Sequence, residues 1–232
     1  MILVFDLDGT LIDSARDIAE SIGEMLEQYG AEPLPLSEVV AMVGEGAPLL
    51  VRRALVRAGL HPTTQTTRGG GPRLRPGVDD ALARFLKIYD RRIMNHTIAY
   101  QGVVESLALS VRRGPLAVLT NKPLGPSIGI LEALALRGFF TRVIGGDSEY
   151  GRKPDPSGLL ALQALAPGEK LAMIGDSPTD YAVAVNANCP FVFARFGFGA
   201  AKFSEGPPDT PFAIDHPREL DAVLNRIEAL RQ

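Results

Sequence analysis

Five short stretches of largely apolar sequence constrain the fold of this chain more than any other feature. They are Ile2–Asp6, Leu116–Thr120, Arg142–Ile144, Leu171–Ile174 and Phe191–Ala194. A strand covered by helices on both faces has no solvent side, so its residues need not alternate between apolar and polar. Four of the five are nearly continuous apolar runs; the third, in RVIGG, is weaker. Helical patterns separate most of them. Val104, Leu107, Ala108 and Val111 recur at i, i+3, i+4, i+7, and Gly114 stops that helix. Leu220, Val223, Leu224 and Ile227 repeat the pattern near the C-terminus. Alternating β and α from about residue 98 onward predicts a doubly wound, parallel α/β sheet.

Residues 15–97 do not fit that alternation. Ile18, Ile22, Met25, Leu26 and Tyr29 form one helical stripe, ended by Gly30. Ala47, Leu50, Val51, Ala54, Leu55 and Ala58 form another, ended by Gly59. A third helix is expected from Val78 to about Asn95. The segment from His61 to Gly77 is rich in Thr, Gly, Pro and Arg and reads as a mobile loop. The expected organisation is a core of residues 1–14 and 98–232 with a helical insertion, residues 15–97.

Composition excludes several classes. At 232 residues with 46% apolar and 22% charged positions, the chain can bury a sizeable core. A net charge of −3 builds no global field for nucleic acid. The single cysteine, Cys189, excludes an internal disulfide framework and a multi-cysteine zinc site, and its apolar surroundings predict a buried, inert thiol. The opening MILVFDLDGT has no basic region, and Asp6 interrupts its apolar run, so it does not read as a signal peptide. No stretch approaches about 18 consecutive apolar residues, which disfavours a membrane span and makes the cytoplasm the expected location.

In open α/β sheets, ligands bind beyond the carboxyl ends of the strands. After the first strand come Asp6, Asp8, Gly9 and Thr10; after the second, Thr120, Asn121 and Lys122; after the fourth, Gly175, Asp176, Ser177 and Asp180. Lys153 sits in GRKPDP, ahead of the fourth strand. Acidic, hydroxyl and basic groups therefore converge on one edge.

These residues carry a resemblance. FDLDGTLIDS, VLTNKP, the lysine of GRKPDP and MIGDSPTD resemble, in order, the four motifs of the haloacid dehalogenase superfamily of phosphohydrolases. The likeness covers nearly the whole chain and implies a Rossmann-like core with the helical insertion as a cap. It implies that Asp6 is the nucleophile and forms an aspartyl-phosphate, and that Asp8 is the general acid and base. It also implies Mg²⁺ held by Asp6, the Asp8 backbone carbonyl and Asp176. Thr120, Asn121 and Lys153 would hold the phosphoryl group, with Thr10 also on the substrate side, and Asp180 and Ser177 would support the site from behind. The bare spacing is compatible. Residues 6 and 8 of an extended strand point the same way, and two carboxylates near a phosphate need a hard, oxygen-loving cation between them.

Other readings compete. DxDG at Asp6 is not an EF-hand loop, because a strand precedes it and its twelfth position is Asp17, not Glu. Ser177 and Asp180 form a capping-box pattern, as do Ser14 and Asp17; capping is the expected role of the second pair. His61, His96 and His216 read as structural or exposed, and Arg52, Arg53 and Arg57 as a solvated helix face. Within the superfamily, Asp8 argues against a dehalogenase, and the lack of lysine in residues 15–60 against a phosphonatase. A β-phosphoglucomutase-like phosphomutase or a sugar-phosphate phosphatase shares the core motifs; loss of Asp6 or Asp176 would have favoured the non-enzyme alternative, a phosphate-binding scaffold, and both are present. MVGEGAPLLVRRAL, TNKP, VIGGDS and HTIAYQGV most resemble the phosphoglycolate phosphatase group. Glu45, Gln101 and the TTRGGGPRLRPG stretch depart from it. The expected partner is a small phosphorylated metabolite, 2-phosphoglycolate first, with Arg16, Arg52, Arg53 or Arg68 as candidates for its carboxylate. A homodimer remains open; nucleic acid and membrane are not expected.

Overall fold

The computed structural model describes residues 1–61, 77–203 and 208–229. The segment expected to be a mobile loop lies, apart from His61 and Gly77, outside these residues, and so does Arg68. The chain divides into two compact units, Met1–Asp13 with Ile98–Gln232, and Ser14–Thr97.

The first unit is built on the apolar runs. β1 (Ile2–Phe5) leads into a tight turn in which the Leu7 carbonyl accepts the N–H groups of Thr10, Leu11 and Ile12. β2 (Ile12–Asp13) and β3 (Ile98–Ala99), where the chain leaves and re-enters this unit, pair antiparallel. β4 (Leu116–Leu119), β5 (Arg142–Ile144), β6 (Leu171–Gly175), β7 (Phe191–Ala194) and β8 (Ala213–Ile214) complete a six-stranded sheet of order β5-β4-β1-β6-β7-β8, parallel throughout. β1 pairs with β4 through Leu3–Leu116 and with β6 through Ile2–Leu171, so it is buried on both flanks. Its residues are all 3% exposed or less, which explains the absence of alternation. Later strands are added first on one side of β1 and then on the other, so the switch point lies at its C-terminal end.

The doubly wound sheet is as expected, with two differences. Asp6 and Thr120, included in the apolar runs, lie just past their strands. β8 has only two residues, too few to leave a pattern in the sequence. Cys189 is half-buried rather than fully buried and packs against the core.

The second unit is helical in its described residues: α1 (Ala15–Glu27), α2 (Leu36–Val40), α3 (Ala47–Arg57) and α4 (Val78–Arg92). The stripe on α1 is buried together with Leu50, Val51, Ala54 and Leu55 of α3 and Ala81, Phe85, Ile88 and Tyr89 of α4. α4 ends short of the expected Asn95, and the short α2 has no counterpart in the apolar pattern. The remaining helices, α5 (Val103–Ser110), α6 (Leu124–Ala133), α7 (Ser157–Ala164), α8 (Pro178–Asn186) and α9 (Leu220–Ala229), belong to the sheet unit.

One capping expectation is overturned. Ser14 makes no side-chain cap bond at the start of α1. The Asp17 carboxylate, fully buried, instead accepts the His96 and Thr97 N–H groups at 2.8–3.1 Å and the Thr97 hydroxyl at 2.7 Å. Donors from the returning chain outcompete a single bond at the helix start, and Asp17 thereby staples both ends of the helical unit together. Asp17→Ala leaves these donors without an acceptor, at a cost of about 2–4 kcal/mol. Urea denaturation is the check; a loss below about 0.5 kcal/mol would show that the staple does not contribute.

Candidate active site

The turn after β1 places Asp6 and Asp8 on the same edge, and each meets its own lysine. Lys153 Nζ lies 2.7 Å from Asp6 Oδ1 and 2.6 Å from Asp180 Oδ1. Lys122 Nζ lies 2.9 Å from both oxygens of Asp8. Lys153 is 4% exposed and Lys122 8%, so neither is a solvated surface lysine. The Asn121 side chain fixes the backbone of Lys153: Oδ1 accepts its N–H at 2.8 Å and Nδ2 donates to its carbonyl at 3.1 Å. That amide, expected to touch the phosphoryl group, is used here to place Lys153. Thr120 is buried, and its hydroxyl oxygen accepts the Lys122 N–H at 3.2 Å.

At the start of α8, Asp180 serves two partners. Its Oδ2 accepts the Ser177 N–H at 3.0 Å and the Ser177 hydroxyl at 2.6 Å, while Oδ1 holds Lys153. The helix-start and lysine-holding readings of this residue therefore coexist.

Asp176, at the end of β6, is 1% exposed. Its Oδ2 accepts the Gly199 N–H at 2.6 Å, and the Thr10 hydroxyl stands 3.5 Å from Oδ1, the outer limit of a hydrogen bond. Glycines make room for it. Gly9 has φ +89°, and a Cβ on Gly9 or Gly197 would fall on the Asp176 side chain.

Oxygens of Asp6, Asp176 and Asp180 lie within 4.8 Å of one another. Burial first, then the Asp180 charge, pushes Asp6 up to about 7 against the pull of Lys153. Burial, Asp180 and Asp6 likewise raise Asp176 well above the usual carboxylate range. Burial would lower Lys153, but Asp180 and Asp6 outweigh it and keep the ammonium charged. The cluster thus holds more negative charge than its lysine offsets. An all-oxygen, buried, over-negative donor set fits a hard divalent cation.

The sequence profile of the haloacid dehalogenase-like hydrolases matches residues 3–194. The chain belongs to that family. A phosphoglycolate phosphatase of Cereibacter sphaeroides is 33% identical over 228 residues, 98% of this chain and 99% of its own. One of Rhodospirillum rubrum is 37% identical over 199 residues, 84% and 80% respectively. The crystal structure of a predicted phosphoglycolate phosphatase from Haemophilus somnus superposes with TM-score 0.82 at 26% identity, covering 96% of this chain and 97% of that one. Among the described residues, no helix is long and apolar enough to cross a membrane.

Two features of this haloacid dehalogenase-like hydrolase have no role in the motif reading. Lys122 stands within VLTNKP, but nothing local assigns it a role. The FGFG run after β7 belongs to none of the four motifs, although inspection of the residues beyond each strand end, extended to β7, exposes Gly197 and Gly199. Elsewhere, His216 is structural, accepting the Arg218 N–H through Nδ1.

Carboxyls with raised folded-state pKa values bind protons more tightly folded than unfolded. Stability is therefore fullest below about pH 4 and falls as pH rises through about 7. At pH 8 in chelator Asp6 is mostly ionised, so the repulsion it exerts in the cluster is present. Asp176→Asn keeps an acceptor for Gly199 and removes one charge, so the melting temperature should rise by about 2–4 °C, roughly 1 kcal/mol for a chain of this size. A fall under those conditions would contradict the charge surplus.

Proposed function

We propose that this chain is a Mg²⁺-dependent phosphatase that hydrolyses a small phosphate monoester, 2-phosphoglycolate, through a phosphorylated Asp6. The observation that carries the chemistry is the placement of Asp6: buried just past the central strand, oriented by Lys153 and facing Asp176. The substrate is supported by relatives named phosphoglycolate phosphatases that match nearly end to end.

In this reading Asp6, the Asp8 carbonyl and Asp176 would hold Mg²⁺. Asp180 would not be a ligand, because its two oxygens already serve Lys153 and Ser177. A divalent cation held by these residues would offset the surplus charge and supply electrostatic stabilisation to the phosphoryl group. Asp6 Oδ attacks phosphorus as the ester P–O bond breaks, and Asp8 gives its proton to the leaving oxygen. Asp8 then takes a proton from water, whose oxygen attacks phosphorus. The Asp6–phosphorus bond breaks, and inorganic phosphate leaves with Asp6 restored. Lys153 and the Thr120 hydroxyl donate to the phosphoryl oxygens, where charge accumulates. Asn121 and Asp180 keep Lys153 in position for this.

The helical unit is assigned the role of cap. A bare carboxylate at Glu45 would repel an anionic substrate, but its Oε1 lies 2.6 Å from Arg53 Nη1, so the charge is paired. Arg16 is paired with Glu20 at 2.8 Å.

The test is kcat/KM for 2-phosphoglycolate, glucose 1-phosphate, pyrophosphate, a nucleotide and p-nitrophenyl phosphate, with and without Mg²⁺. Phosphoglycolate should lead by more than about tenfold, and chelator should abolish turnover; a tenfold lead for a sugar phosphate would overturn the substrate assignment. Asp6→Asn cannot accept a phosphoryl group and should lose at least about 10³-fold in kcat, about 4 kcal/mol of barrier, with unchanged circular dichroism. Near-normal turnover by this variant would remove Asp6 as nucleophile.

A further inference from the structure

Lys122 takes no part in the steps assigned to Asp6 and Asp8, yet its ammonium lies 2.9 Å from both oxygens of Asp8. The Lys122 and Asp8 side chains are only 6% and 12% exposed, so this is a largely buried pair rather than a passing surface contact. We infer that Lys122 is the core's specificity residue for the carboxylate of the leaving group. The inference rests on the phosphatase reading and deepens it by naming the group that recognises the alcohol half of the substrate.

Reach singles out this lysine. To protonate the leaving oxygen, a carboxyl of Asp8 must come within about 2.6–3.2 Å of it. Lys122 grips both Asp8 oxygens, so whichever one faces the ester, the ammonium is beside it. In 2-phosphoglycolate the carboxylate carbon is two bonds from the ester oxygen. The anionic end of the substrate is therefore held next to Lys122 whenever the reacting end is held next to Asp8. Lys153 cannot take this part, because Asp6 and Asp180 hold it at the phosphoryl end. A neutral alkyl group or a sugar ring presents no charge at that place, so an ammonium there favours an α-carboxylate.

The discriminating pair of substrates is 2-phosphoglycolate and ethyl phosphate, which share the O–CH₂ unit and differ in the carboxylate. Lys122→Met should cost kcat/KM for phosphoglycolate about 10–100-fold more than for ethyl phosphate, the worth of a charge-assisted hydrogen bond, with most of the difference in KM. Lys122→Arg should retain most of the preference. A role confined to orienting Asp8 would lower both substrates equally, mainly in kcat, and that result overturns the inference while leaving the phosphatase reading intact. Should Lys122→Met fail to fold, Lys122→Gln, which keeps a donor for Asp8, carries the same comparison. A wild-type enzyme with no preference for phosphoglycolate over ethyl phosphate overturns the substrate reading and this inference together.

Discussion

The buried contest between carboxylates and lysines at the end of β1 is the constraint on which the site depends. Asp6, Asp176 and Asp180 are within reach of one another, and Lys153 is the ammonium between two of them. Burial alone would neutralise these groups. Their mutual arrangement keeps the lysine charged, while the carboxylates repel one another and push Asp6 and Asp176 still further up. Such a site is costly in the fold and useful in chemistry, because a cation and a phosphoryl group both complete it.

The scaffold around that contest is correspondingly specific. β1 is the central strand, so the Asp6 backbone is fixed, its N–H bonded to the Ile174 carbonyl at 2.9 Å. The glycines at 9, 197 and 199 let backbone approach Asp176 where any side chain would collide with it. Asn121 secures Lys153 through main-chain groups and so fixes the lysine without touching its ammonium. Each device acts on a neighbour of the reacting groups.

Legibility from sequence divides along the same line. Strands buried on both faces read as apolar runs, and helices with one buried stripe read from their period; β8 and α2 are too short to carry either signal. The residues whose type is dictated by chemistry, Asp6, Asp8, Thr120, Lys153 and Asp176, stand out at strand ends and in the loop ahead of β6. Their partners do not. Asp17 matches a local capping pattern, while its actual donors lie some 80 positions away. Lys122 stands within VLTNKP, but its contact with Asp8 spans 114 positions and is set by the β1–β4 pairing. Local patterns report local bonds; contacts made by the sheet topology require the sheet.

Everything proposed for the chemistry depends on Asp6 carrying the phosphoryl group. The direct measurement is acid quenching of the enzyme within its first turnover of a radiolabelled phosphate monoester, borohydride reduction of any acyl phosphate, and mass spectrometry of the N-terminal peptide. Transient label in that peptide and reduction at Asp6 are predicted, with neither in Asp6→Asn. Rapid turnover with no label on the protein at any time, or label on a residue other than Asp6, would contradict the covalent mechanism.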